Sequence, residues 1–189
     1  MNQLTLENTA IVLDSTCDPA DGWLEQPGLY MVPLKVHFGD QMFRDGIDMT
    51  YKDVRVRNVP TNIRTWGGAT EFHGNSIFVF EMANLCIAHL GHLHHTLTQQ
   101  QLNEIGRVDV VMAPVDGNMT LDLEGMVEVL HALKAPLIIP MHYFSAYTLD
   151  RFLARVRQDW EVQIDEVPSI VLSKATLPNK PKVLVLPGR

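Results

Sequence analysis

The chain has 189 residues, enough for one well-filled domain, or one domain with an incomplete fragment, and too few for two full domains. Apolar residues make up 46% and charged residues 20%, the balance of a soluble globular protein, and a formal net charge of −7 with dispersed Lys and Arg argues against nucleic acid as a partner. Apolar runs such as PLIIPM and VLVLPG fall far short of the roughly 18 residues a membrane-spanning helix needs, and MNQLTLENTA lacks the basic-then-apolar order of a signal peptide, so a cytoplasmic protein with no membrane partner is expected.

TAIVLD reads as a buried strand ending at Asp14, followed by the loop DSTCDPADG. A second strand, YMVPLKVHF, runs into the turn GDQMFRDG. VRVRNVP alternates, and SIFVFE and LCIAHLG flank the turn MAN as the two arms of a hairpin. Helix and strand then alternate. Thr98 with Gln101 forms a capping box that opens QQQLNEIG, and Gly106 is placed to stop it. VDVVMAPVDG is a buried strand. Thr120, with Asp122 and Glu124 in the first turn, starts a helix whose Met126, Val127, Leu130 and Leu133 share one face. PLIIPMHY is the next strand and TLDRFLARVRQDW a helix, and SIVLS and KVLVLPG close the chain as strands. This order implies a layered α/β domain.

Four of the eight histidines fall in the run HLGHLHH, residues 89 to 95. His92 follows one predicted strand, Asp116 follows VVMAPV, and His142 follows LIIPM. Ends of neighbouring strands in a layered α/β domain converge on one edge of the sheet, so these three positions can meet. Imidazole nitrogen and carboxylate oxygen are what a zinc-class ion accepts. His94 and His95, ahead of the capping box, are further ligand candidates or exposed residues, while His89, in phase with Leu85 and Ile87, points inward, either to hydrogen-bond in the core or to support a ligand from behind. His37 and His131 read as structural, and His73, in a Gly-flanked loop, stays open. Cys17 and Cys86 form no C-x-x-C pair, so neither a zinc knuckle nor a redox couple is signalled.

From about Val54 onward, NVPTN, GNSIFVFE, LCIAHLGHLHHTLT, VDVVMAPVDGNMTLD and IIPMHYF resemble the C-terminal half of a metallo-beta-lactamase-fold hydrolase, in the ascorbate-6-phosphate lactonase-like branch. The resemblance implies an αββα sandwich in which zinc or a similar divalent metal activates water against a small-molecule ester, lactone or phosphodiester. Under it, His142 matches the last histidine ligand, and His92 stands where many members carry Asp. Asn62 and Arg64 stand where a middle histidine is expected. The pattern H-x-H-x-D-H does not occur, which implies an incomplete metal site and altered or impaired activity. Residues 1–53, through IVLDSTCDP, MVPLKVHFGD and FRDGIDMT, resemble the start of DegV-like fatty-acid-binding proteins. The expected organisation is therefore a DegV-like α/β segment over 1–53 in place of the first sheet of the sandwich, and a metallo-beta-lactamase-like domain over 54–189. The segment brings an alternative function, lipid binding, with Ser15, Thr16 and Arg44, and with them Asp45, as candidate contacts; their other reading is a turn. A third reading is a non-catalytic remnant. Half of a two-sheet sandwich exposes an apolar face, so a homo-oligomer is expected.

Overall fold

The computed structural model describes residues 48–187 apart from Trp66, together with four short strands earlier in the chain, β1 (Ile11–Asp14), β2 (Leu29–Val32), β3 (His37–Phe38) and β4 (Gln41–Met42). The chain divides into two units, Met1–Asp45 and Gly46–Arg189. In the first, β1 pairs in parallel with β2 and β3 pairs antiparallel with β4.

The second unit runs β5 (Asp48–Tyr51), β6 (Val54–Arg64), β7 (Thr70–Met82), β8 (Leu85–His89), α1 (Gln99–Ile105), β9 (Val110–Pro114), α2 (Leu123–Leu133), β10 (Leu137–Met141), α3 (Ala146–Val156), β11 (Glu161–Ile164) and β12 (Lys182–Val185). Its strands form one eight-stranded sheet in the order β11-β12-β10-β9-β8-β7-β6-β5. The expected layered α/β class is what is found. β5 to β8 are antiparallel, and β8, β9, β10, β12 and β11 run parallel. The hairpin turn between β7 and β8 is only Ala83 and Asn84, both at positive φ, the backbone that a tight two-residue connection with the natural strand twist requires.

One face of the sheet packs on the helices. Ile77, Val79, Ala88, Val111, Ala113, Ile138 and Val183 are buried with Met126, Val129 and Leu130 of α2 and Phe152, Leu153 and Val156 of α3. On the opposite face Val110, Leu137, Ile139 and Leu184 are buried under Leu172 and Leu177. Helix α1 has the expected capping box, with Thr98 and Gln101 reciprocally bonded, and it stops at Gly106. Helix α2 does not start at Thr120. Its N-cap is Asp122, which accepts from the Gly125 N–H, because the Thr120 hydroxyl is committed to Asp116. SIVLS is not a strand. It follows Pro168, has no strand partner, and leaves Ile170 and Val171 exposed, while the polar stretch Glu161–Ile164 takes the edge position beside β12.

Two features of the sheet shape the site. Because β8, β9 and β10 are parallel, His89, Pro114 and Met141 end at one edge, and antiparallel pairing brings the end of β6 and the start of β7 to that same edge. Strands β10 and β12 pair only at Leu137↔Lys182 and Ile138↔Val183. Leu137 donates to Asp109 on the β9 side and Pro136 accepts from Lys182 on the β12 side, so by alternation the missing N–H of Pro140 falls on the side where β12 departs.

Candidate active site

Asp116 is the organising group. It is 5% exposed and follows β9, where Val115 still donates to Met141 of β10. Its Oδ1 accepts the backbone N–H of Asn118 (2.9 Å), Met119 (2.5 Å) and Thr120 (3.2 Å), winding residues 116–120 into a tight loop with Gly117 at φ +68°. Its Oδ2 accepts the Thr120 hydroxyl (2.6 Å) and the His142 Nδ1–H (2.9 Å). Burial works to raise its pKa, but the Thr120 hydroxyl, the loop amides and His142 outweigh burial and hold the carboxyl well below the usual range. Both oxygens are spent inside the protein. Asp116 therefore orients His142 and has no lone pair directed at an external ion. With Nδ1–H on the carboxylate, neutral His142 presents the lone pair of Nε2. It does so from φ +55°, a left-handed backbone that costs an L-residue of order 1–2 kcal/mol, so the bond to Asp116 and the neighbouring strand hold a conformation that the local sequence alone would avoid.

The histidine-rich run forms the facing wall. Leu90 donates to Met112 of β9, and Leu121 donates to Leu93, so the turn is stitched to both β9 and the Asp116 loop. Asn75, within β7 and opposite Thr61 of β6, holds it from the other side. Its Oδ1 accepts the His92 N–H (2.8 Å), and its Nδ2 donates to the Thr61 hydroxyl (2.8 Å) and the Leu90 carbonyl (3.2 Å). Gly91, at φ +60°, lies so close over Asn75 that no side chain fits. The turn carries His92 to an edge-to-face contact with His142, ring centroids 4.9 Å apart.

Donor and acceptor roles follow from one fixed donor. The Arg64 backbone N–H can only donate, and it points at His94 Nδ1 (3.1 Å). Neutral His94 then carries its proton on Nε2 and donates to His92 Nδ1 (2.8 Å), which leaves His92 with its proton on Nε2. Burial first, and then the neighbouring His142, hold the His92 pKa below its ordinary value. Burial, His92 and Arg64 do the same for His94, so both rings are neutral at pH 7. The pair thus offers an N–H on His92 opposite a lone pair on His142.

The remaining candidates have other work. His95 accepts the Asn62 N–H on Nε2 (3.2 Å) and bonds the Thr96 carbonyl through Nδ1 (2.7 Å), so both nitrogens are used by the backbone and neither is directed at an ion. His89 Nδ1 accepts from the Gly91 N–H (3.1 Å), a supporting role for the turn. His131 stacks on Trp160 away from the cluster, and His73 is exposed. Ser15, Thr16, Arg44 and Asp45 lie outside the described residues. Sequence reasoning missed Asn75; the signal available was an Asn beside a Gly just before the run SIFVFE.

A domain model described as the beta-lactamase superfamily domain matches residues 16–142, more than half of the chain. The chain belongs to this superfamily. Its match begins at residue 16, inside the segment set apart at the sequence level. Among curated superfamily relatives, a UPF0173 metal-dependent hydrolase of Thermoplasma acidophilum is 29% identical over 100 residues, 52% of this chain and 43% of the relative. One from Carboxydothermus hydrogenoformans is 31% identical over 77 residues, 40% of this chain and 34% of that protein. The chain spans less than half the length of the curated relatives it matches. A crystal structure from Thermotoga maritima, described as a Zn-dependent hydrolase of the metallo-beta-lactamase superfamily, superposes with a TM-score of 0.60 at 28% identity. The superposition covers 82% of this chain and 80% of that one.

The superfamily relatives are named for a metal, and the residues here can be tested against one. Among the described residues, no three His, Cys, Asp or Glu side chains are arranged to hold an ion. His142 is oriented as a ligand; His92 faces it with a proton on Nε2; Asp116 and His95 are committed elsewhere. A catalytic zinc takes about three protein ligands. The described residues fall short of that set.

Proposed function

We propose that this chain is a hydrolase of the metallo-beta-lactamase superfamily whose reaction centre is the His92–His142–Asp116 cluster, acting on a small-molecule ester, lactone or phosphodiester. The observation that carries it is the buried Asp116 carboxylate bonded to His142 Nδ1 at 2.9 Å, which fixes a lone pair on Nε2 directly across from His92. From these residues alone, His142 Nε2 can accept a proton from water and His92 Nε2–H can donate to an oxygen that gains charge, the two halves of general acid–base work. A zinc-class ion needs at least one ligand beyond the described set, so the reading of a divalent cofactor carries a defined shortfall. The lactonase-like branch is the finer assignment within this reading, and a lactone is its first substrate to try. The lipid-binding reading rests on residues 1–53 alone, and the superfamily match over 16–142 runs against it.

Elemental analysis of the purified chain after loading with Zn(II), Mn(II) or Fe(II) tests the metal. The expected result is up to one ion per chain, lost in the His92→Ala/His142→Ala double variant. No bound ion after any loading removes the metal-dependent reading, and fatty acid co-purifying with the protein supports the lipid-binding one.

A further inference from the structure

The rim of the histidine cluster carries a cation and an aromatic ring whose placement the cluster itself does not explain. Arg64 ends β6 at the sheet edge. Its backbone N–H is held on His94, and its guanidinium reaches across to the Asn118 carbonyl at 3.4 Å, in the loop wound around Asp116. One long contact to a neutral carbonyl leaves most of its five N–H donors facing solvent. Arg55, Arg57, Arg107 and Arg155 each lie against an Asp or Glu; Arg64, like Arg151 and Arg157 on and just after α3, has no carboxylate partner among the described residues, and of these three only Arg64 stands beside the histidine cluster. The nearby carboxylate, Asp116, is buried with both oxygens filled and cannot serve it. Among the described residues, this positive charge beside the cluster has no carboxylate to offset it.

Against His142 stands Phe144, two residues beyond it. Its ring meets the His142 ring edge-to-face at 4.9 Å, yet 70% of the residue is exposed. Met119, in the Asp116 loop, is also exposed. A large apolar side chain held open to water against His142, in the same histidine cluster that a guanidinium without a carboxylate partner among the described residues borders through His94, is the pairing of features that selects an amphipathic anion.

We propose that Arg64 and Phe144 set the substrate class: a molecule bearing an oxyanion, phosphate or carboxylate, on an apolar or aryl body. Arg64 takes the anion, Phe144 supports the body, and the bond to be cut lies over His92 and His142. The last clause rests on the hydrolase reading; the binding itself does not.

Calorimetric titration of the full chain with phenyl phosphate, phenylacetate, inorganic phosphate and benzyl alcohol tests this without requiring turnover. Both aryl anions are expected to bind more tightly than benzyl alcohol, and phenyl phosphate more tightly than inorganic phosphate. Arg64→Gln should weaken both aryl anions about tenfold, the ~1.4 kcal/mol of one charge-assisted contact, while Arg64→Lys keeps some of the affinity. Phe144→Ala should erase the advantage of phenyl phosphate over inorganic phosphate. The relative strength of phenyl phosphate and phenylacetate says which oxyanion is preferred. No binding of either anion to the wild-type chain, or equal binding by wild type and Arg64→Gln, overturns the proposal. Anion binding without hydrolysis of any ester removes the hydrolase reading and leaves this one standing. Hydrolysis with the same kcat/KM for neutral and anionic esters in wild type and Arg64→Gln does the reverse.

Discussion

Asp116→Asn is the sharpest test of how the site is held. The variant has the same shape, so its Oδ1 can still accept the amides of Asn118, Met119 and Thr120. At the other position an NH₂ replaces an oxygen. The Thr120 hydroxyl can rotate to accept from it, but the His142 Nδ1–H cannot, since two donors would then face each other 2.9 Å apart. The bond survives only if His142 moves its proton to Nε2. Stability should fall by about 1–3 kcal/mol, the worth of a hydrogen bond to a charged group. Asp116→Ala should cost about 2–6 kcal/mol, because it strands the amide and hydroxyl of Thr120, each at about 1–3 kcal/mol in a residue only 1% exposed. Two measurements check this, urea denaturation and two-bond ¹H–¹⁵N correlation of labelled imidazoles, which reads the tautomer directly. Expected is a His142 proton on Nδ1 in wild type and on Nε2 in Asp116→Asn, with any metal affinity down about 10–100-fold. A His142 that keeps its Nδ1 proton in Asp116→Asn, or equal losses for Asn and Ala, refutes the reasoning.

Gly91→Ala places a methyl group on Asn75 and 2.9 Å from the Ser76 carbonyl at a left-handed backbone position, so thermal unfolding should report a loss of about 2–4 kcal/mol, whereas an unchanged midpoint contradicts the role given to Asn75. Lys174→Met removes the ammonium 2.6 Å from buried Asp109 but leaves the Arg107 and Cys86 contacts; Lys174 is itself partly exposed, so about 1–2 kcal/mol is expected in denaturant titration. Burial works to raise the Asp109 pKa, but Lys174, the Cys86 amide and Arg107 outweigh it and hold the pKa low. Its stabilisation is therefore present above about pH 4 and lost below, and the variant should show less of that acid loss. His92 and His94 have lowered pKa values, so the unfolded chain binds more protons than the folded one below the ordinary histidine value. Stability is full above about pH 6.5 and declines as pH falls through the folded values. A melting temperature flat from pH 7 to 5 contradicts this, and replacing both rings with Gln should flatten the slope.

Convergence of His92, Asp116 and His142 is legible in the sequence because it needs only strand ends and the parallel order of β8, β9 and β10. Their roles are not. Asp116 reads as a ligand, but its oxygens are consumed by amides two to four residues ahead and by a histidine one strand away, and only the folded loop shows this. His94 and His95 read as ligands or exposed residues. Both are instead fixed by the amides of Arg64 and Asn62, a contact set by the long-range register of β6 against β7 and β8. Helix α1 is legible in full because its signals are local. The start of α2 departs from expectation because Thr120 offers the same hydroxyl to a nearer, charged acceptor. The strand expected at SIVLS is found instead at Glu161–Ile164, a stretch that carries no expectation of its own, because an edge strand is defined by its neighbour, here β12, more than by its own hydropathy.

The proline in β10 works as a stop on the sheet's zipper. With no amide to offer at Pro140, the backbone cannot continue closing against β12, and the two strands diverge ahead of the segment that leads into His142. The phenol of Tyr143 spans the resulting fork by donating to the Leu186 carbonyl at 2.9 Å, so the opening is bounded as well as begun. An amide restored at Pro140 is therefore expected to let the pairing of β10 with β12 run further toward His142.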